Sequence, residues 1–379
     1  MKHKLYLFYL FNFLTFFAFA FVNTQVIPYM TYLGYNIIQQ GYILAFNALI
    51  AICFQFILGY LCDRYHKLKW FYCLLYSIVL LSAMLMFLIQ AKQFYFHLIV
   101  IALMAGLIKV MIALNETWMM ARVKNNYGKV RAFGAIGLGL GSPLAGYLIT
   151  VFDYKMMVVI FGLLSIIIFL LIVKIPDINN TSKHITLSSL KQLILNKEYV
   201  LLVLIYLLLY MVGTADQYVV IDKLIDIGAN SSVIGLKWSI QSFMEVPLLI
   251  GSTYLLKKIS YYTLLKLGTI MYSIKFILYG LAIHPVMILF SASLQIVTLP
   301  IIMITSKILI NKVIPKSLQS SGPMFAMAIF IGLSGLITPL ITSRLCMLFG
   351  YDLTLYIIAS FCIIPFLLII YYHRTCEKK

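Results

Sequence analysis

Six ionisable side chains lie within runs otherwise built of Leu, Ile, Phe, Val and Met: Lys109, Glu116, Asp216, Lys237, Glu245 and Lys275. Three are acids and three are bases, so they can pair, hand on a proton or clasp a polar molecule. The stretch "ALNETWMMARV", residues 113–123, is the sharpest case, because Asn115, Glu116 and Trp118 interrupt an aliphatic run. Facing lipid, each charge costs about 2.5–3.5 kcal/mol near a helix centre, roughly 18 kcal/mol for all six. A whole fold is typically stable by only about 5–15 kcal/mol. The six must therefore pair or line a polar cavity. No nucleophile–base constellation accompanies them, and the six cysteines show no metal-ligand spacing. Neither catalysis nor a metal or organic cofactor is expected.

The elements that position these charges are membrane helices. Hydrophobic residues make up 63% of the 379-residue chain and charged residues 11%, against about 25% charged in a soluble domain. Apolar segments of about 20 residues, enough to cross the bilayer core as a helix, recur along the whole length. Their centres predict an all-α membrane protein with twelve transmembrane helices. The spans fall near residues 5–27, 37–60, 69–91, 96–122, 131–152, 155–175, 199–221, 232–256, 263–283, 286–311, 321–343 and 352–373. The first span has no small-residue cleavage site, so it is expected to remain in the protein.

Orientation follows from the lysines and arginines. An even number of spans puts both termini on one side, and most of the 29 basic residues fall in segments on that side. Only Lys92, Lys155, Lys223 and Arg344 lie in segments on the other. By the positive-inside rule both termini are cytoplasmic, in the cytoplasmic (inner or plasma) membrane. The net charge of +18 is thus a topology signal. It is spread over short segments with no continuous patch, so no nucleic-acid partner is expected.

The longest polar segment is "PDINNTSKHITLSSLKQLILNKE", residues 176–198. It divides the chain into an N-terminal six-helix bundle (1–175), a cytoplasmic linker (176–198) and a C-terminal six-helix bundle (199–379). Within the linker, "SLKQLILNK" is expected to form a short amphipathic surface helix. The halves also read as copies: Gly34/Gly228, Asn36/Asn230, Gly41/Gly235, Tyr60/Tyr254 and Leu61/Leu255 share one offset. Each Gly-x-Asn should close an external hairpin, the Asn capping the next helix. The fold class is two pseudo-symmetric bundles.

Residues 59–69, "GYLCDRYHKLK", resemble the loop signature of the major facilitator superfamily, G-x-L-a-D-R-x-G-R-[RK], between helices two and three. Gly59, Leu61, Asp63 and Arg64 match, while His66 replaces a Gly and Lys67 an Arg. The resemblance implies that Gly59, Asp63 and Arg64 belong to a conformational charge lock. The segment "NETWMMARVKNNYGKVRAFGAIGLGLGSPLAG", residues 115–146, is similar to helices four and five of the lactose permease group of sugar–proton symporters. In that group an acid late in helix four faces an arginine in a "G-[RK]-x-R-x-[FW]-G-x-x-G" run, here "GKVRAFGAIG". That likeness implies that Glu116 and Arg131 hold a polar substrate, with Asn115 beside them. In the second half it implies Glu245 as the substrate-binding acid, with Asp216 and Lys275 in the charge network.

The departures are informative. Gln295 stands at the position of the group's helix-ten His, and Thr298 at that of its coupling Glu; Pro300 keeps its place. Leu138 replaces the Trp that stacks on the sugar. Gln and Thr carry no proton, so any coupling proton must ride on Glu116, Asp216 or Glu245, and Gln295 becomes a substrate-binding candidate. The implied function is alternating-access transport of an oligosaccharide or nucleoside by proton symport, driven by the proton gradient, from a monomer. "GSPLAG" also partly resembles the fifth-helix motif of drug-expelling antiporters. Proton-coupled efflux of lipophilic compounds is therefore the alternative.

Overall fold

The computed structural model describes residues 2–65, 67–123, 126–177, 193–314 and 321–376. Every regular element in them is helical. The first half holds α1 (Lys2–Asn23), α2 (Val26–Tyr32), α3 (Ile37–Tyr65), α4 (Leu68–Leu88), α5 (Phe94–Val123), α6 (Tyr127–Phe152) and α7 (Lys155–Lys174). The second half holds α8 (Lys197–Asp226), α9 (Ser231–Lys258), α10 (Tyr261–Gly280), α11 (Pro285–Ala292), α12 (Leu299–Val313), α13 (Ser321–Met327), α14 (Ser334–Phe361) and α15 (Ile363–Cys376). In lipid a backbone must satisfy its own hydrogen bonds, and a helix does so within one segment.

Among the described residues, ten segments are long and apolar enough to cross a membrane. They differ from the twelve expected spans at two places. The last segment, Phe325–Thr375, runs 51 residues and turns at Gly350, whose φ of 74° and ψ of 174° no helix contains. The helix Tyr261–Gly280, which carries Lys266 and Lys275, is not among the ten. Of the linker's expected surface helix, residues 189–192 lie outside the described residues, and residues 193–195 are helical.

The tenth span is not one helix. Between α11 and α12 the chain makes a tight 3₁₀ turn over Ser293–Val297, and Thr298 leaves the helical region (φ −113°, ψ −101°). Pro300 lacks an N–H, so a continuous ladder could not close here. The break exposes the Gln295 and Thr298 side chains to the bundle interior, where broken helices of transporters commonly build their sites. In span eleven a π-helical stretch, Ala328–Leu333, links α13 to α14.

The repeat seen in the sequence has a structural counterpart. Gly34 and Gly228 both adopt positive φ, 75° and 85°. Gly34 N donates to Thr31 O and Tyr35 N to Met30 O; Gly228 N donates to Ile225 O and Ala229 N to Leu224 O. Asn36 Oδ1 then accepts from Gln39 N at 2.9 Å, and Asn230 Oδ1 from Val233 N at 3.0 Å. Both Gly-x-Asn units thus end one helix with a left-handed residue and cap the next. A second pair matches too. Asp153, which ends α6, has φ 70° and ψ 170°, close to the values at Gly350.

Two antiparallel helix pairs join the halves, α6 with α9 and α3 with α14. Small residues set the spacing. Gly146 lies against the backbone of Ser231, Gly235 against Ser142 and Pro143, Gly139 against Phe243, and Gly128 against Leu249. On the other pair Gly41 meets Ser343 and Pro339, and Gly332 meets Ile52. Past Ile52, Phe56, Ile57 and Tyr60 are each more than half exposed. The α3–α14 seam is therefore tight toward the Gly34 hairpin and open toward the far end of α3.

Candidate functional site

Four elements of the second half converge on one buried cluster. Lys237, Gln241 and Glu245 are four residues apart on α9, hence on one face. Asp216 comes from α8, Lys275 from α10, and Gln295 from the 3₁₀ turn. Lys275 Nζ lies 2.6 Å from Asp216 Oδ2, and Lys237 Nζ 3.2 Å from Oδ1. Lys237 also donates to the Asp216 backbone carbonyl at 2.8 Å, and Gln241 Nε2 to Asp216 Oδ2 at 2.9 Å. Both lysines are fully buried. Ammonium groups persist there because one carboxylate serves both.

Gln295 carries the network onward. Its Oε1 accepts from Lys275 Nζ at 2.7 Å, while its amide nitrogen donates to Glu245 Oε1 at 3.0 Å. That amide is the hydrogen-bond partner Glu245 has among the described residues, and no base lies within ion-pair distance of it. Arg131 and Lys275 are the cations within electrostatic reach. One acid is clamped between two lysines; the other meets only a neutral amide.

A second cluster spans the interface between the halves. Glu116 of α5 lies 3.6 Å from Arg131 Nε of α6 and 3.8 Å from Lys307 Nζ of α12. Both distances exceed a hydrogen bond, so the two bases face the carboxylate as ion pairs. Lys307 also donates to Tyr127 OH at 3.2 Å, and the Arg131 guanidinium sits 4.7 Å from the Phe16 ring centroid. Tyr210 of α8 is within electrostatic reach of both Glu116 and Glu245. Because Lys307 is about one-third exposed, its tie is worth about 1 kcal/mol at most. Lys307→Ala should therefore speed hydrogen–deuterium exchange in the first turns of α6 while barely moving the unfolding temperature. Unchanged exchange there would remove Lys307 from the interface.

The sequence candidates are not all brought together. Asn115 turns away from Glu116 and donates to Asn12 Oδ1 on α1 at 3.1 Å, inside the first half. Lys109 reaches across to Tyr218 OH of α8, 3.5 Å away, beside a cavity of about 40 Å³ lined by Asn47, Gln217 and Trp238. That volume suits water, not a sugar or nucleoside. The six in-span charges thus sit in separate groups rather than around one open chamber. Gly59, Asp63 and Arg64 end α3; Arg64 is exposed and donates to Tyr60 OH at 3.2 Å, and the Asp63 side chain lies outside the described residues. Gln241, Lys307 and Tyr127 were not singled out from sequence. Gln241 was legible as the midpoint of the Lys237–Glu245 face, and Tyr127 as one turn before Arg131.

No curated protein matches the chain. Among solved structures, a nucleoside transporter, NupG, superposes with a TM-score of 0.82 at 14% identity, covering 99% of this chain and all of that one. A POT family transporter in complex with a thioalcohol-conjugated peptide gives a TM-score of 0.77 at 13% identity, covering 98% and 96%. At such identities the likeness is one of fold. The family model described as the MFS_1 like family matches residues 4–349. With two bundles meeting along small-residue seams and charges set between them, the chain belongs to the MFS_1 like family and is a transporter of the major facilitator superfamily.

Proposed function

We propose that the chain carries a small polar solute, a nucleoside or an oligosaccharide, into the cell by proton symport, with twelve passes and both termini cytoplasmic. The halves 1–175 and 199–379 would rock about the α3–α14 and α6–α9 seams as a monomer. Glu116, Arg131 and Glu245, with Gln295, would engage the solute. A nucleoside is the first cargo to test, since NupG, whose fold is shared over nearly the whole length, is a nucleoside transporter.

The observation that carries the coupling is the contrast between the two acids of the second half. Asp216 is held by Lys237 and Lys275, whereas Glu245 meets a neutral amide. With Glu245 ionised, the four charges cancel. Protonating it leaves one positive charge unbalanced, which a cargo oxygen nearby would offset. Cargo and proton then favour one another's binding, and that mutual preference is the coupling. Glu245 is thus the proton carrier, and Asp216 with Lys275 its fixed frame.

The test is uptake of labelled uridine, adenosine and an oligosaccharide into proteoliposomes under an imposed pH gradient. One of them should accumulate, and an uncoupler should abolish the accumulation. Glu245→Gln should lose accumulation yet keep exchange of the same cargo across equal concentrations. Accumulation that ignores the uncoupler would defeat proton symport. A strain lacking the protein that becomes drug-sensitive with no nutrient defect would favour efflux instead.

A further inference from the structure

A third acid stands apart from both clusters. Asp222, two turns beyond Asp216 on α8, is half-buried where α8, α3 and α14 meet. It lines a cavity of about 10 Å³, room for about one water-sized occupant, together with Gln40, Tyr218, Thr342, Ser343 and Cys346. Among the described residues Asp222 has neither an ion pair nor a hydrogen bond. Its neighbour Lys223 is committed to Asp352. Gln40 is 4% exposed; its amide nitrogen donates to Thr31 Oγ1 and Tyr35 O, each at 3.1 Å, while its Oε1 has no partner. Two acceptors, one of them a carboxylate, therefore share a small cavity with no donor assigned to either.

The cavity sits on the tight part of the seam, beside the contact of Gly41 with Ser343. The lining from α3 contains no ionisable side chain. On α14, Cys346 and Tyr351 are near, and Arg344 is exposed. On α8 there are Tyr218, Lys223 and Asp226; Lys109 reaches Tyr218. Tyr29 and Tyr32 of α2 are occupied with the Tyr154 ring. On α12, Lys307 is engaged by Tyr127 and Lys312 by the Tyr261 ring, and the ionisable groups of α15 lie in its last turns. Closing the seam thus buries a carboxylate with no described counter-charge, which is costly unless a positive charge joins it.

We propose that Asp222 and Gln40 form a monovalent-cation site in this seam. It takes one positive charge, a proton or Na⁺, when the halves close and releases it when they part. The site is distinct from Glu245: it sets which way the transporter faces, whatever the cargo. It needs only that the seam opens, and so rests on the alternating-access part of the proposed function.

Cys346 is a built-in reporter, a free thiol 8% exposed in the same cavity. In protein whose other cysteines are replaced, its labelling by an impermeant methanethiosulfonate is followed from pH 5.5 to 8.5, in choline chloride and in NaCl. Each rate is divided by that of Asp222→Asn, whose amide mimics the neutral acid. In choline the ratio should rise with pH by at least about threefold as the ionised acid opens the seam. Losing a nearby negative charge would by itself make the thiol of the Asn variant more reactive, so it cannot produce this rise. If NaCl returns the ratio to one, the site takes Na⁺; if the rise persists in NaCl, the site takes a proton. Gln40→Leu supplies an independent arm and should speed labelling under the closing conditions. Labelling with a ratio of one throughout would mean the acid is merely hydrated, overturning the site while sparing alternating access. No labelling under any condition would sink both.

Discussion

Asp216→Asn should be the most destabilising single change in the second half. It leaves the buried ammonium groups of Lys237 and Lys275 with no carboxylate at 3.2 and 2.6 Å. Breaking a buried pair by removing one partner costs about 3–5 kcal/mol, chiefly because the remaining charge is left uncompensated. Here two charges are left. Lys275→Met is the milder change, since Asp216 keeps Lys237, and it should lower the unfolding temperature less. Combining the two should recover part of the loss, the sign of an interaction within one network. The measurement is the monodisperse yield and thermal unfolding of detergent-purified protein. An Asp216→Asn variant as stable as the wild type would show that the cluster does not hold the bundle together.

The second large effect should come from Gly235→Trp, and it should be conformational. A Cβ at Gly235 would collide with the backbone carbonyl of Ser142 across the α6–α9 seam. Backbone cannot swing aside as a side chain does, so the halves must separate there, even for alanine. Overpacking of this kind costs about 1–3 kcal/mol, and about 3 kcal/mol turns a tenfold closed majority into a tenfold open one. Thr150 Oγ1, exposed, and Ser232 Oγ, half-buried, lie 3.4 Å apart on opposite sides of this seam and offer the readout. Cysteines at both positions should cross-link readily in the parent and poorly with Gly235→Trp, while each half stays folded. Undiminished cross-linking would show that the seam does not control opening.

Much of this arrangement could be seen in the sequence, for identifiable reasons. Charges in apolar runs announce themselves because few structural roles excuse them, and all six have partners on another element. The Gly-x-Asn turns were legible because positive φ and helix capping each demand particular residue types. What stayed hidden was long-range. Lys307 looks like an interfacial anchor until the fold brings it beside Glu116, 191 positions away along the chain. Asn115 looked like a site residue because it adjoins Glu116, yet neighbours along a helix point about 100° apart. The broken tenth span was signalled by Pro300, but an interior proline can kink, unwind or simply be tolerated, and sequence does not say which. Asp222 was missed because it sits just past the seventh span and beside Lys223, where an ordinary surface pair was the simpler expectation.

The paired Gly-x-Asn turns bear on how the chain is made. Every hydrogen bond that closes them falls within six residues of sequence. Nothing from the opposite bundle is required. Each turn can form as soon as its own two helices leave the ribosome, so the nascent chain can enter the lipid as ready-bent hairpins. Assembly at the seams then becomes a late docking step between preformed units.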